Sequence, residues 1–159
     1  MAVLNVSNKS AVTFNGTALT KIVFNGTTVW TEPEPPVDPG DAELRAMIAQ
    51  AAVQYIGLPY VYGGASLSTG CDTPGFIFAL FASFGITLPR AITAQIAAGW
   101  NVPYDSRTPG DVIFYGSSTP MMAAIYIGLG NIVACRQGAG VTMSAELTTL
   151  PRLAVRRYV

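Results

Sequence analysis

The residues of this sequence that could do chemistry gather at one junction. Cys71-Asp72-Thr73-Pro74-Gly75 lies between a glycine- and aromatic-rich run beginning at Tyr55 and an apolar run ending at Phe84. Enzymes often place a nucleophile where a loop delivers an acidic residue to a helix start, because the unpaired N–H groups and the helix dipole there stabilise developing negative charge. The residue in that position is Thr73, whose hydroxyl attacks only with an adjacent base, and an internal threonine brings no amine of its own. The 159 residues contain no histidine, which excludes within this chain the Ser-His and Cys-His mechanisms as ordinarily built. A carboxylate, lysine or tyrosine would have to serve instead. Thr73 before Pro74 also reads as a helix N-cap, and Asp72 as an anchor for loop N–H groups. Cys71 and Cys135 allow one disulfide at most and lack metal-ligand spacing, so neither a metal nor a cofactor is expected.

These residues need elements to hold them. A first helix is expected from an N-cap at Asp41, through Leu44, Met47, Ile48, Ala51 and Tyr55, to a stop at Gly57. Leu58 to Gly64 reads as extended chain ending in a close backbone approach, and a second, buried helix is expected from Pro74 to Phe84 with Gly85 as its stop. Ile92 to Ala98 can form a third. Strands are expected at 112–115, 123–127, 132–135, 140–143 and 153–158, divided by Gly, Ser or Pro turns. Helices followed by a run of strands with short turns indicate an α+β domain built on an antiparallel sheet, spanning 41–159.

Ahead of it, residues 1–31 hold a near-repeat in which Asn15-Gly16 and Asn25-Gly26 are flanked by β-branched and aromatic residues, the pattern of two type I′ hairpins. Such a module has little core of its own and is expected to pack on a partner or self-associate. Residues 32–40, EPEPPVDPG, read as a stiff solvated linker. With 11% charged residues and a formal net charge of zero, the sequence lacks the footprint of a nucleic-acid binder. It has neither an apolar run long enough to span a bilayer nor the pattern of a signal peptide at its start, so synthesis in the cytoplasm is expected.

Taken in order, Gly57-Leu-Pro-Tyr-Val-Tyr-Gly-Gly64, Asp72 with Gly75, Leu88-Pro89-Arg90, Pro109-Gly110-Asp111-Val112-Ile113-Phe114 and Ile125-Tyr126-Ile127-Gly128 resemble the NlpC-type family of papain-like peptidases, which cleave cell-wall stem peptides. The resemblance runs from about Asp41 to Tyr158. It implies a papain-like NlpC-type domain with its N-terminal helices packed on the antiparallel sheet. It also implies a nucleophile position at Thr73, a histidine position at Met122 and an orienting position at about Val133, none of which keeps the family's chemistry. Cys71 and Cys135 flank these positions, and strand alternation points Cys135 the same way as Val133, so the two thiols are expected near one another. They read as two small buried hydrophobes, or else as a displaced nucleophile or a bridging disulfide. Tyr60, Tyr62, Cys71, Asp72 and Cys135 are the groove candidates. Trp100 is open between groove and packing, and Arg152, Arg156 and Arg157 read as a solvated strand face. The N-terminal module is similar to those of phage-tail-associated proteins. The reading these features favour is a non-catalytic NlpC-type protein of a phage-like particle. It would contact other particle or tail proteins through residues 1–31, bind peptidoglycan, and be open to homo-oligomerisation. An active peptidase using Cys71 and a purely structural virion protein are the alternatives.

Overall fold

The structure is a computed structural model that describes residues 39–159 throughout, with side chains from residue 41, and the backbone of five strands within residues 1–31. The chain divides into two compact units, Met1–Pro36 and Val37–Val159.

In the first unit, β1 (Leu4–Val6), β2 (Val12–Phe14) and β3 (Thr17–Leu19) form an antiparallel sheet in that order. β4 (Lys21–Phe24) and β5 (Thr27–Thr31) form a separate hairpin. Phe14 pairs with Thr17 and Phe24 with Thr27, so each Asn-Gly pair spans a two-residue connection, the length that type I′ turns close. The turn residues lie outside the described residues, as do 32–38 of the expected linker. β1, which pairs with β2, adds a strand to the two expected hairpins.

The second unit opens with α1 (Pro39–Gln54), so the helix begins inside the expected linker and Asp41 lies in its first turn rather than capping it. A two-residue ladder, β6 (Ala65–Ser66) with β7 (Gly70–Cys71), leads into α2 (Thr73–Ala82) and then α3 (Ile92–Ala97). After β8 (Trp100–Asn101) come β9 (Val112–Tyr115), β10 (Met122–Gly128), β11 (Asn131–Arg136), β12 (Gly140–Ala145) and β13 (Arg152–Arg157). These form one antiparallel sheet in the order β12-β11-β10-β9-β13-β8. The α+β class and the helices on an antiparallel sheet are as expected. The two-residue strands β6, β7 and β8 were not, because pairings that short leave no periodicity in the sequence.

The sheet has two buried faces. On one, Phe76, Ile77, Leu80 and Phe81 of α2 pack against Val112, Phe114, Ala123, Ile125, Val133 and Cys135. All ten are fully buried, and each large apolar side chain so placed stabilises the fold by roughly 1.5–3 kcal/mol. On the other face, Ile113, Tyr115, Met122, Ala124, Ile132 and Val155 form a second layer, covered in part by Tyr104, Leu147 and Leu150.

Of the three arginines expected on a solvated strand face, Arg152 is exposed, while Arg156 is half-buried and Arg157 buried. Arg157 is buried and donates two 2.8 Å bonds to Asp111, itself fully buried. Arg156 donates to the Ile96 carbonyl and to Asn101 Oδ1, and Arg152 lies 3.8 Å from the centre of the Tyr104 ring. Arg156 and Arg157 are thereby held by more than one partner each, while Arg152 stays exposed beside the Tyr104 ring.

Candidate active site

The start of α2 is fixed by Asp72. Its Oδ1 accepts from Gly75 N at 2.7 Å, closing the N-cap, and its Oδ2 accepts from Gly63 N at 3.1 Å. Asp72, not Thr73, is therefore the cap; Thr73 and Pro74 occupy the first two helical positions, where a proline loses no hydrogen bond. Arg90 pairs with the same carboxylate at 2.7 Å and donates to the Gly64 carbonyl at 3.1 Å, which also accepts from Asp72 N at 3.0 Å. The Gly63-Gly64 turn is thus knitted onto the helix end. Gly75 is required by this closeness: a Cβ there would lie 2.0 Å from the Gly64 carbonyl oxygen.

Thr73 stands at the helix start with its hydroxyl committed elsewhere. Oγ1 donates to the Cys135 carbonyl at 2.7 Å. A backbone carbonyl cannot take up the proton, so this contact orients the side chain without activating it. Asp72, the nearest carboxylate along the chain, is already occupied by two N–H groups and a guanidinium.

The other two positions that the resemblance assigns, Met122 and Val133, lie on opposite faces of the sheet. Residues directly opposite in an antiparallel pair share a face, and Ile125 lies opposite Val133. Alternation then puts Val133 and Cys135 on the α2 side and Met122 on the other. Val133 is fully buried in the first layer, while Met122 is buried in the second with Tyr115 and Ala134. What Met122 shares with Thr73 is an end of the sheet: β10 begins beside the end of β11, where Cys135 receives the Thr73 bond.

The two thiols are neighbours, as expected, and both are free and fully buried. Cys135 Sγ donates to the Cys71 carbonyl at 3.0 Å. Burial, with the Cys135 thiol alongside, pushes the Cys71 thiol up to about 12, and burial likewise raises Cys135. Neither holds a thiolate near neutral pH. Among the groove candidates, Cys71, Asp72 and Cys135 are thus not wall residues, since they lie beneath the surface. Tyr60 is half-buried, bridged through its backbone to Cys71 and packed on the core, which leaves Tyr62, 90% exposed, as the one open aromatic of the five.

Two residues that hold this end together were given no role from sequence. Arg90 fell within a quoted motif, but nothing in its spacing identified Asp72 as its partner. Gln95, fully buried on α3, donates from Nε2 to the Pro74 and Pro89 carbonyls, both at 2.9 Å, fastening α3 to the first turn of α2. A lone glutamine in a six-residue helix carries no signal of that kind.

A sequence profile of the NlpC/P60 family matches residues 57–151, from the glycine loop through all the strands that receive α2. The chain belongs to the NlpC/P60 family. It is 38% identical over 99 residues to the gamma-DL-glutamyl hydrolase of Bacillus subtilis (strain 168), covering 61% of this chain and 24% of that protein. It is 32% identical over 126 residues to the peptidoglycan endopeptidase RipB of Mycobacterium tuberculosis (strain CDC 1551 / Oshkosh), covering 66% of this chain and 52% of that one. The solved structure of the peptidoglycan hydrolase RipB from Mycobacterium tuberculosis superposes with a TM-score of 0.68 at 26% identity, over 80% of this chain and 74% of that chain. The NlpC/P60 chain described here thus spans about a quarter to a half of the length of the curated relatives it matches. The relatives named are a gamma-DL-glutamyl hydrolase and a peptidoglycan endopeptidase.

Proposed function

We propose that this NlpC/P60 domain binds cell-wall peptide without cleaving it. The observation that carries the reading is the state of the nucleophile position: the Thr73 hydroxyl donates its hydrogen bond to a backbone carbonyl, in a chain without histidine whose two thiols are buried. Binding outlives catalysis when the nucleophile and base are lost and the groove walls remain, since ground-state contacts do not depend on the reacting groups. The loop Leu58 to Gly64, held on α2 by Asp72 and Arg90, keeps such a wall and presents Tyr62 from it. The five-stranded N-terminal unit serves as the anchor, docking to other proteins of a phage-like particle. A displaced active site at Cys71 is disfavoured because its thiol is both enclosed and held protonated.

Co-sedimentation with purified peptidoglycan tests the binding. The wild-type chain is expected in the pellet, and Tyr62→Ala to weaken retention by about tenfold, the scale of losing one exposed aromatic contact. Wild-type protein left wholly in the supernatant would refute the binding role.

A further inference from the structure

On the sheet face away from α2, Tyr104 sits at the centre of a charged stack. Its hydroxyl donates to Glu146 Oε2 at 2.5 Å, while Glu146 Oε1 accepts from Arg107 Nε at 3.0 Å and Nη2 at 2.7 Å. The Arg107 guanidinium lies 3.7 Å from the Tyr104 ring centre and that of Arg152 lies 3.8 Å from it. Two like-charged planar groups so close to one ring take its opposite faces. Glu146 is consumed by Arg107 and Tyr104, so the trio is electrically balanced and rigid. Arg152 is held against the ring yet has no acidic partner among the described residues. It is also exposed, and with Tyr104 it forms the wall shared by two clefts of about 290 and 250 Å³. Beside it the first cleft is lined by Leu147, Leu150 and Pro151 with Glu146 and Thr148, the second by Val102, Pro103 and Leu153 with Asn101.

We propose that Arg152 and the clefts it divides bind a small organic carboxylate bearing a short apolar body. The charge argument selects the carboxylate: a guanidinium already oriented by an aromatic face offers its remaining N–H groups as a fork matched to two oxygens, with less conformational freedom to lose than a free surface arginine. The apolar lining selects the body. Two Arg107 N–H groups share Glu146 Oε1 and Tyr104 takes Oε2, so Glu146 is engaged away from Arg152 and the two arginines exceed it by one positive charge. The site lies across the sheet from Thr73 and does not depend on the peptidoglycan reading.

The test is nitrogen-15 amide NMR on the full chain, titrated separately with N-acetyl-L-leucine, its C-terminal amide, and acetate. The acid is expected to shift the amide signals of Tyr104, of residues 147–150 and of Arg152 saturably, with the amide and acetate at least about tenfold weaker. Arg152→Gln, an exposed change expected to leave the melting temperature unaltered, should erase the preference for acid over amide, and Arg152→Lys should restore part of it. Equal affinity for acid and amide, acetate matching the acid, shifts located elsewhere or absent, or an undiminished preference in Arg152→Gln would each overturn the proposal.

Discussion

At the scale of single residues, the geometry separates what Asp72 and Thr73 each do. Asp72 caps α2, holds the Gly63 N–H and pairs with Arg90, so Asp72→Ala should cost about 2–3 kcal/mol, above an ordinary cap because the Gly63 bond and the Arg90 pair are lost with it. Urea denaturation measures it. Thr73→Val keeps the shape and removes only the bond to the Cys135 carbonyl, so a loss near 1 kcal/mol is expected by the same method. The register Asp72-Thr73-Pro74-Gly75 was legible in the sequence, but the division of labour was not. Aspartate and threonine are both good caps, and Pro74, which favours the first helical position, pointed to Thr73; the structure moves the helix start one residue earlier and puts Pro74 second. The facing of Met122 was illegible for a different reason. A one-residue uncertainty in where a strand position falls inverts its side, and the Ile125–Val133 and Met122–Tyr115 pairings fix it.

At the scale of elements, α2 and the turn laid across its end behave as one piece. Gly75→Ala would drive a methyl into the Gly64 carbonyl and the Asp72 carboxylate together, so it should destabilise by more than about 2 kcal/mol, a larger loss than Thr73→Val. Denaturation of the two variants side by side checks the order. The same piece carries an alkaline liability. The Cys71 thiol is raised from 9.0 to about 12 on folding, chiefly by burial. Below 9 both folded and unfolded chains hold the proton, and pH has no effect through this group. Above it the unfolded chain sheds the proton first, so stability falls as pH rises toward 12. Tyr115, raised by burial from 10.0 to about 12, acts in the same direction. Thermal melts should therefore be flat through neutral pH and decline above 9, and Cys71→Ala should lessen the decline. The long elements behind this were readable because each carries a strong period or a firm stop. β6, β7 and β8 were not, since two residues make no period, and the fate of Arg152, Arg156 and Arg157 depended on partners far away in sequence.

At the scale of the whole molecule, the two compact units follow the change of composition around residues 32–40. If the family domain is self-sufficient, residues 37–159 alone should unfold cooperatively with the same midpoint as the full chain, because both buried layers of the sheet lie within it. The resemblance to the NlpC/P60 family was legible from five motifs in order, and the absence of histidine from the composition. For the two thiols the sequence left burial, a displaced nucleophile and a bridge open; both are buried and free, which is the first of these readings. The central claim, that this domain retains the fold of a peptidase without its reaction, is tested most directly by incubating the full chain with purified peptidoglycan and analysing the soluble fragments by mass spectrometry. No stem-peptide fragments above a protein-free control are predicted; fragments that accumulate with time and disappear in Cys71→Ala would contradict it.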